Sequence, residues 1–463
     1  MSNSANERSK WELAILALSI VGVVWYAFLW GLSILGCMSA RKRFRVRPRS
    51  PLASAPAASV PGVSILRPLK GLDTNLYENL ESTFTQDYPN FEILLSVDND
   101  HDQALTVVRD LLAKYPHVNA RILVGSGADD VGINPKVNNL VKAYREAAHD
   151  ILWVIDSGVM ADPGTLARAV DILAPPPSKV PKRRVGVVHH VPYAISTESR
   201  VGSRVEEAFL NTNHAKMYIA INTVAVDSCV VGKSCLYRRS DLERVNGSLR
   251  PIPNADTDPD ARQPGVCGLA AFGKYLAEDN MIAGALWHEL GLRHDMSCDV
   301  AKNVVGNMSL KDYVYRRARW IRVRKHMVLA ATLLEPLTES LMLCLIACAS
   351  LRRLLGIHPF FTFLLHYAPW LYLDLDVYAS LAGHPLPPTI KWEFLAGWFA
   401  RELLAFPIFL FALLGSQVEW RGRKYQVIRN GEVRRITGEQ RRGSWWRSSS
   451  EGRQYQRLES EPS

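Results

Sequence analysis

The sequence predicts an α/β domain with a mostly parallel sheet, set between an N-terminal transmembrane helix and a C-terminal group of transmembrane segments. Three observations predict it. From Val63 to His189, short apolar runs alternate with runs of helical spacing, the pattern of units whose strands pair in parallel. Leu13 to Ala40 holds no charged residue and is long enough to cross about 30 Å of hydrocarbon with some tilt. Three more apolar stretches, at about 327–350, 354–383 and 394–418, follow a segment dense in Arg and Lys.

Taken in order, residues 1–12 are a short polar start and 13–40 the anchor, with Trp25, Tyr26 and Trp30 inside it. A cleaved signal peptide is the competing reading, but the apolar run is too long and no small-residue cleavage site follows. Residues 41–61 form a basic juxtamembrane linker, opening Arg41-Lys42-Arg43 and turning rich in Pro, Ala and Ser from 48 onward. By the positive-inside rule that end stays cytosolic, and the domain at 62–308 with it. Within the domain the strands are read at 63–66, 91–97, 120–124, 151–155 and 185–189, and the helices at 76–84, 104–113 and 137–148. Open α/β sheets bind ligands beyond the carboxyl ends of their strands; Asp98 and Asp156 stand just there. Residues 250–267, with four Pro and three Asp, read as an exposed insertion loop.

Residues 309–326 read as a cationic interfacial helix, and 327–418 as membrane segments interrupted by Glu335, Glu339, Asp374, Asp376, Arg401 and Glu402. Charges at that depth face a protein interior or a water-filled cavity, so some of these runs are expected to be re-entrant or interfacial. Three full spans would leave the basic tail in the lumen; two spans plus a re-entrant segment would return it to the cytosol, the preferred reading. The tail, 419–463, is basic and reads as disordered from Gly443.

The formal net charge is +10. Its basic residues cluster beside the apolar segments, at 41–49, 316–325 and 421–447, which favours a membrane surface and excludes a nucleic-acid groove as the reading. Seven Cys without zinc spacing fit reduced thiols.

Four groups of residues carry chemistry. Asp98-Asn99-Asp100-His101-Asp102 follows a strand and suits a nucleotide's base and ribose or a metal; a solvated turn is the plain alternative. Asp156, directly after Ile155 and before Ser157-Gly158, is placed to hold a metal bridging two phosphates; a helix cap is its alternative, a job Asp162-Pro163 is better placed to do. Of Glu278-Asp279, one member suits a general base for a hydroxyl nucleophile. Arg316, Arg319 and Trp320 share a helical face, where guanidinium groups suit a diphosphate leaving group. Arg317, Arg322, Arg324 and Lys325 read as lipid-facing cations. Lys136 opens a helix within reach of a phosphate. His214 is a lone histidine, by default structural. Val231-Gly232-Lys233-Ser234 ends like a phosphate loop but lacks the upstream glycine, and that reading is rejected.

With these residues assembled, the chain resembles the ceramide glucosyltransferases, and its 250–267 insertion and basic extension are similar to fungal-type members. The resemblance spans nearly the whole chain. It rests on Ile155-Asp156-Ser157-Gly158, Ala277-Glu278-Asp279, Arg316-Arg317-Ala318-Arg319-Trp320 and, most specifically, the run Val131-Gly132-Ile133-Asn134-Pro135-Lys136-Val137-Asn138-Asn139-Leu140. Arg, not Gln, opens the last of the family's motifs here. The resemblance implies a GT-A-type fold and transfer of glucose from UDP-glucose to ceramide at a Golgi or ER membrane, with Mg2+ or Mn2+ as cofactor. Residue by residue it implies Asp102, or else Asp98, at the nucleotide, Asp156 at the metal and Asp279 as base. It implies Lys136, Arg316 and Arg319 at the nucleotide sugar, with Trp320 and His214 at the acceptor or diphosphate; the family's functional Cys resembles Cys229. Two alternatives stay open: a related transferase for another lipid or polysaccharide acceptor, and a non-catalytic lipid-binding or transfer protein.

Overall fold

The computed structural model describes residues 2–127, 130–176, 183–420, 423–428 and 431–436; the tail end read as disordered lies outside the described residues. α1 (Ser2–Phe44) carries the anchor and ends on Arg41, Lys42 and Arg43, where cations complement a helix C-terminus. The chain then alternates β1 (Val63–Leu69), α2 (Leu76–Phe84), β2 (Phe91–Val97), α3 (Ala104–Lys114), β3 (Ala120–Val124), α4 (Pro135–Glu146) and β4 (Ile151–Ile155). β5 (Val159–Met160), α5 (Thr165–Leu173) and β6 (Val185–Ser196) follow, then α6 (Val201–Phe209), a π-turn at Leu210–His214 and α7 (Ala215–Val224). β7 (Ser234–Arg238), α8 (Arg239–Leu242), α9 (Glu278–His288) and β8 (Arg293–Val305) complete the domain.

Eight strands form one sheet in the order β3-β2-β1-β4-β7-β6-β8-β5. The expected parallel pairing holds for β3-β2-β1-β4 and for β6-β8; β7 is inserted antiparallel between β4 and β6, and β5 is antiparallel to β8. Side-chain alternation sends Ile65, Leu95 and Trp153 to one buried layer and Leu66, Leu94 and Leu152 to the other. Both faces are covered by helices, which is why these strands read as continuous apolar runs. The expected cap at Asp162 is not what its carboxylate does: Gly164 is the cap residue of α5, and Asp162 pairs with Arg47 at 2.8 Å and with Lys302. The 250–267 stretch carries no helix or strand.

After the sheet come α10 (Leu310–Met327), α11 (Leu329–Leu334), α12 (Ser340–Leu355), α13 (Pro359–Ala382) and α14 (Lys391–Leu413), then β9 (Gln417–Trp420), β10 (Arg423–Val427) and β11 (Val433–Arg435). By length and composition α1 and α14 could each cross a membrane, and α11–α12 form a further apolar pair bent by 67° at its break. α1 and α13 run side by side in the same direction: Tyr26 meets His366 and Arg41 meets Asp376 at 2.6 Å. α12 runs the other way, with Gly22 against Ser350 and Trp25 bonded to the Leu337 carbonyl. Exposed Leu18, Val21, Phe28, Phe360, Phe363 and Leu364 face outward from this group.

α14 lies along the domain, with Gly397 against the Arg204 backbone and Phe409 in one cluster with Ile321. The tail strands return to α10, burying Val418, Tyr425, Val427 and Val433 against Val323, and Val433 donates to the Lys274 carbonyl at 3.2 Å. The lipid-facing reading of four α10 cations is corrected here. Arg317 is buried. Arg322 and Lys325 donate to carbonyls of residues 411–417, the orphan acceptors at the end of α14. Arg324 pairs with Glu335.

Candidate active site

The site is built by backbone turns at the carboxyl ends of β1, β2 and β4. The run Val131–Leu140 is a set of clamps. Asn134 caps α4, accepting from Lys136 N–H at 2.8 Å, and donates to the Tyr275 carbonyl at 2.7 Å and to Glu278 at 2.8 Å. Asn138 accepts from the Val131 and Gly132 N–H groups and donates to the Gly132 carbonyl; Asn139 donates to the Leu69 carbonyl at the end of β1. Gly132 lies so close to Gly273 that a β-carbon there would sit 2.4 Å from its carbonyl carbon. The segment therefore ties α4 to the loop that precedes Glu278-Asp279.

That tie delivers Lys136. Its ammonium sits 2.8 Å from Asp156 and 2.8 Å from Glu278. A second cation, Lys233, reaches the other oxygen of Asp156 at 3.0 Å. Burial works against charge on Asp156, but Lys136 and Lys233 outweigh it and hold the carboxyl well below the usual range. Asp279 is the opposite case. Burial first, then the charges of Glu278 and Asp156, push it up to about 7, with Lys136 pulling the other way. Two acids in one site are thus held in different protonation regimes, the arrangement that separates a permanent anion from a proton acceptor. A small pocket opens beside them, with Lys136, Gly232, Glu278 and Asp279 on its polar side and Val187 and Tyr237 on its apolar side.

Gly232 and Lys233 are residues of this cluster that the sequence reading missed. β7 pairs antiparallel with β4, setting Ser234 opposite Ile155, and the Asp156 N–H donates to the Lys233 carbonyl at 3.2 Å. The rejected phosphate-loop reading stays rejected, because this lysine reaches a carboxylate from the turn before β7. The only signal was a Gly-Lys pair before a strand. Gly232 is needed for space: a β-carbon there would fall 1.4 Å from Asp279 Oδ2. Gly232→Ala is expected to displace the Asp279 carboxylate and lower kcat by about a hundredfold, as misplacements near 1 Å do. The KM for a nucleotide-sugar donor should stay within about twofold if only that carboxylate moves; steady-state kinetics with the donor varied checks both.

The remaining candidates fall in two places. Asp102 spends its carboxylate on backbone N–H groups, Gly71 and Ala104, both at 2.9 Å. Asp98 is exposed at the end of β2 with Lys70 3.9 Å away, so it is the more open of the two to a ligand. Arg316 is held by buried Glu206 at 2.7 Å and lies over Trp320; Arg319 points to the Glu419 carbonyl on β9. His214 stands between Phe209, Tyr218 and Trp320, at ring separations of 5.2, 5.7 and 6.4 Å. Burial, reinforced by Arg317, Arg324 and Arg401, pushes its pKa down to about 3, so it is a neutral imidazole. Cys229 is a free thiol, as are the other six.

For a divalent metal, no group of three or more His, Cys, Asp and Glu ligands occurs among the described residues. A small divalent ion is commonly held by one or two carboxylates together with substrate phosphates, but both oxygens of Asp156 already carry an ammonium, Lys136 at 2.8 Å and Lys233 at 3.0 Å, so a metal there would have to take the place of one of them.

Comparison with known proteins places this geometry. A curated ceramide glucosyltransferase of Komagataella phaffii is 37% identical, with 89% of this chain and 90% of that one aligned. That of Candida albicans is 33% identical over 79% of this chain and 86% of its own. Among solved structures, a mannosyltransferase from Pyrobaculum calidifontis in complex with GDP-Man and Mn2+ is 18% identical, covering 79% of this chain and 97% of its own at a TM-score of 0.42. The family model described as glycosyl transferase family 21 matches residues 23–252 and 264–433. Its one break falls inside the stretch read as an insertion, and its span takes in the anchor from residue 23 onward, every acid and lysine of the site and the α10 cations. The chain belongs to glycosyl transferase family 21.

Proposed function

We propose that the protein is an inverting ceramide glucosyltransferase, moving glucose from UDP-glucose to the primary hydroxyl of ceramide and releasing glucosylceramide and UDP. The family places it among such enzymes. The observation that carries the mechanism is Asp279, a carboxylate pushed up to about 7 beside the lysine-held Asp156. A base poised there can take the proton of an alcohol as the bond to the anomeric carbon forms. Attack from the face opposite the leaving diphosphate inverts that carbon.

Asp156 would hold Mg2+ or Mn2+, which when bound neutralises charge on the diphosphate. Lys136 and Lys233 bring two further cations to the same place, and Arg316 and Arg319 on α10 steady the departing UDP. Asp98 or Asp102 contacts the nucleotide at the end of β2. Trp320 and neutral His214 line the acceptor side.

The packing supports one membrane arrangement. The tail strands sit on α10 and the Lys274 loop, so the chain between α10 and β9 crosses the bilayer an even number of times. In this reading α11–α12 descend and α13 returns beside α1, while α14, though long and apolar enough to cross, lies against the domain through Gly397 and Phe409. With Arg41, Lys42 and Arg43 at the end of α1, the domain and tail face the cytosol; a Golgi or ER membrane is the proposed location. The test is a transfer assay on detergent-solubilised protein, offering UDP-glucose, UDP-galactose and UDP-N-acetylglucosamine with ceramide, diacylglycerol and dolichyl phosphate. Glucosylceramide is the expected product; transfer to another acceptor with ceramide untouched would overturn the lipid assignment.

A further inference from the structure

Asp279 is pressed by Gly232, and the turn that carries Gly232 is anchored from outside the acid cluster. Residues 230–233 fold back tightly: the Lys233 N–H donates to the Val231 carbonyl at 2.9 Å, across Gly232. The turn is tied to α7 by the Val231 N–H, which donates to the Tyr218 hydroxyl at 3.1 Å. Tyr218 is 4% exposed, and its hydroxyl oxygen also lies 2.7 Å from His189 Nδ1 on β6. A phenol accepts one bond and donates another. Burial, then His294, His190 and Arg43, push the His189 pKa down. That ring is therefore neutral, and the tautomer with its proton on Nε2 accepts from the hydroxyl. The Tyr218 oxygen is thus fixed by two partners, one of them the backbone of the turn.

The ring of the same side chain works in the other direction. Phe209, His214 and Tyr218 form one row, with Phe209 5.2 Å from His214 and His214 stacked on Tyr218 at 5.7 Å, 11° from parallel. Residues four apart share a helix face, which aligns His214 with Tyr218. Phe209 stands five residues before His214 and joins the row through the π-turn at Leu210–His214; such bulges shift helix register and recur at functional sites. His214 also meets Trp320 on α10 at 6.4 Å. Tyr218 therefore touches both halves of the site. Its ring continues the stack that reaches α10, and its hydroxyl holds the turn that abuts Asp279.

The geometry points to Tyr218 as a positioning residue, whose hydroxyl fixes the 230–233 turn and, through Gly232, the Asp279 carboxylate. The inference rests on Asp279 being the base. Tyr218→Phe keeps the ring and its stack and removes the hydroxyl. Turnover should fall about tenfold, less than for a displacement near 1 Å, with the KM for UDP-glucose within about twofold. The acid limb of kcat/KM should move to lower pH, because a loosened turn lets water reach a carboxyl that burial holds up. The other titratable groups around Asp279, namely Glu278, Asp156, Lys136, Cys235 and Tyr237, are all retained in this variant. A purely structural tyrosine would lower the denaturation temperature and leave turnover and limb in place; that result overturns the proposal. The double variant gives a second reading. Residues that act as a unit are not additive, so Tyr218→Phe should cost almost nothing further in Asp279→Asn. The full tenfold loss in that background would show a separate role and overturn the proposal while the base stands. Near wild-type turnover in Asp279→Asn alone would remove the base, and the positioning role with it.

Discussion

Asp279→Asn is expected to lower kcat about a thousandfold, within the range a positioned base contributes, with little change in the KM for UDP-glucose. Asparagine keeps the shape of the side chain and removes its ability to take a proton. The stronger evidence is the pH profile. Asp279 must be ionised to act, and burial with the charges of Glu278 and Asp156 pushes it up to about 7. Activity is therefore present above that value and lost as pH falls through it, about tenfold for each further unit. In kcat/KM this acid limb belongs to the free enzyme. Glu278→Gln removes one of the charges that raise Asp279, so the limb should move to lower pH; burial, the larger cause, keeps it from returning to an ordinary carboxylate value. Residual activity in Asp279→Asn should be flat across the region. An acid limb surviving unchanged in that variant would show that another group takes the proton.

What was legible in the sequence follows the range of the interactions involved. β2, β3 and β4 have the limits expected from their apolar runs, because burial on both faces leaves a local signature. The family motifs were legible because each is contiguous: Asn134, Asn138 and Asn139 fall in one short run at the start of α4, although the partners they clamp include Leu69 and Tyr275 far along the chain. Lys233 was not, because its role depends on β7 lying antiparallel to β4, a pairing that no local pattern announces. The extent of β6 was missed for a similar reason: a strand expected over 185–189 runs to Ser196, its second half held by β8. Arg317 was misread because a basic run beside an apolar one resembles a lipid-facing patch; only the packing of α6 and α14 around α10 shows that this position turns inward.

Lys136→Met is the complementary experiment, since it removes a cation where Asp279→Asn removes an acid. Lys136 answers Asp156 and Glu278 at 2.8 Å each, and Lys233 touches only Asp156 among these acids. Without Lys136, Glu278 keeps only its bond from Asn134, and three acids share one remaining ammonium. Removing one partner of a buried pair costs about 3 kcal/mol because the other charge stays buried, so thermal denaturation should show a clear loss. The charge balance at the base shifts too. Lys136 is the cation that holds Asp279 down; without it the acid limb should move to higher pH, opposite to Glu278→Gln. If Lys136 has its proposed place at the diphosphate, donor affinity should fall as well, with the KM for UDP-glucose up about tenfold or more. Lys136→Arg separates charge from shape: a planar fork cannot take the place of a compact ammonium between two carboxylates, so it should restore stability in part and turnover poorly. If Lys136→Met left both the limb and the KM in place, Lys136 would be a structural tie between α4 and α9 and nothing more. Opposite movements of one acid limb, upward on losing Lys136 and downward on losing Glu278, would identify Asp279 as the group both residues tune.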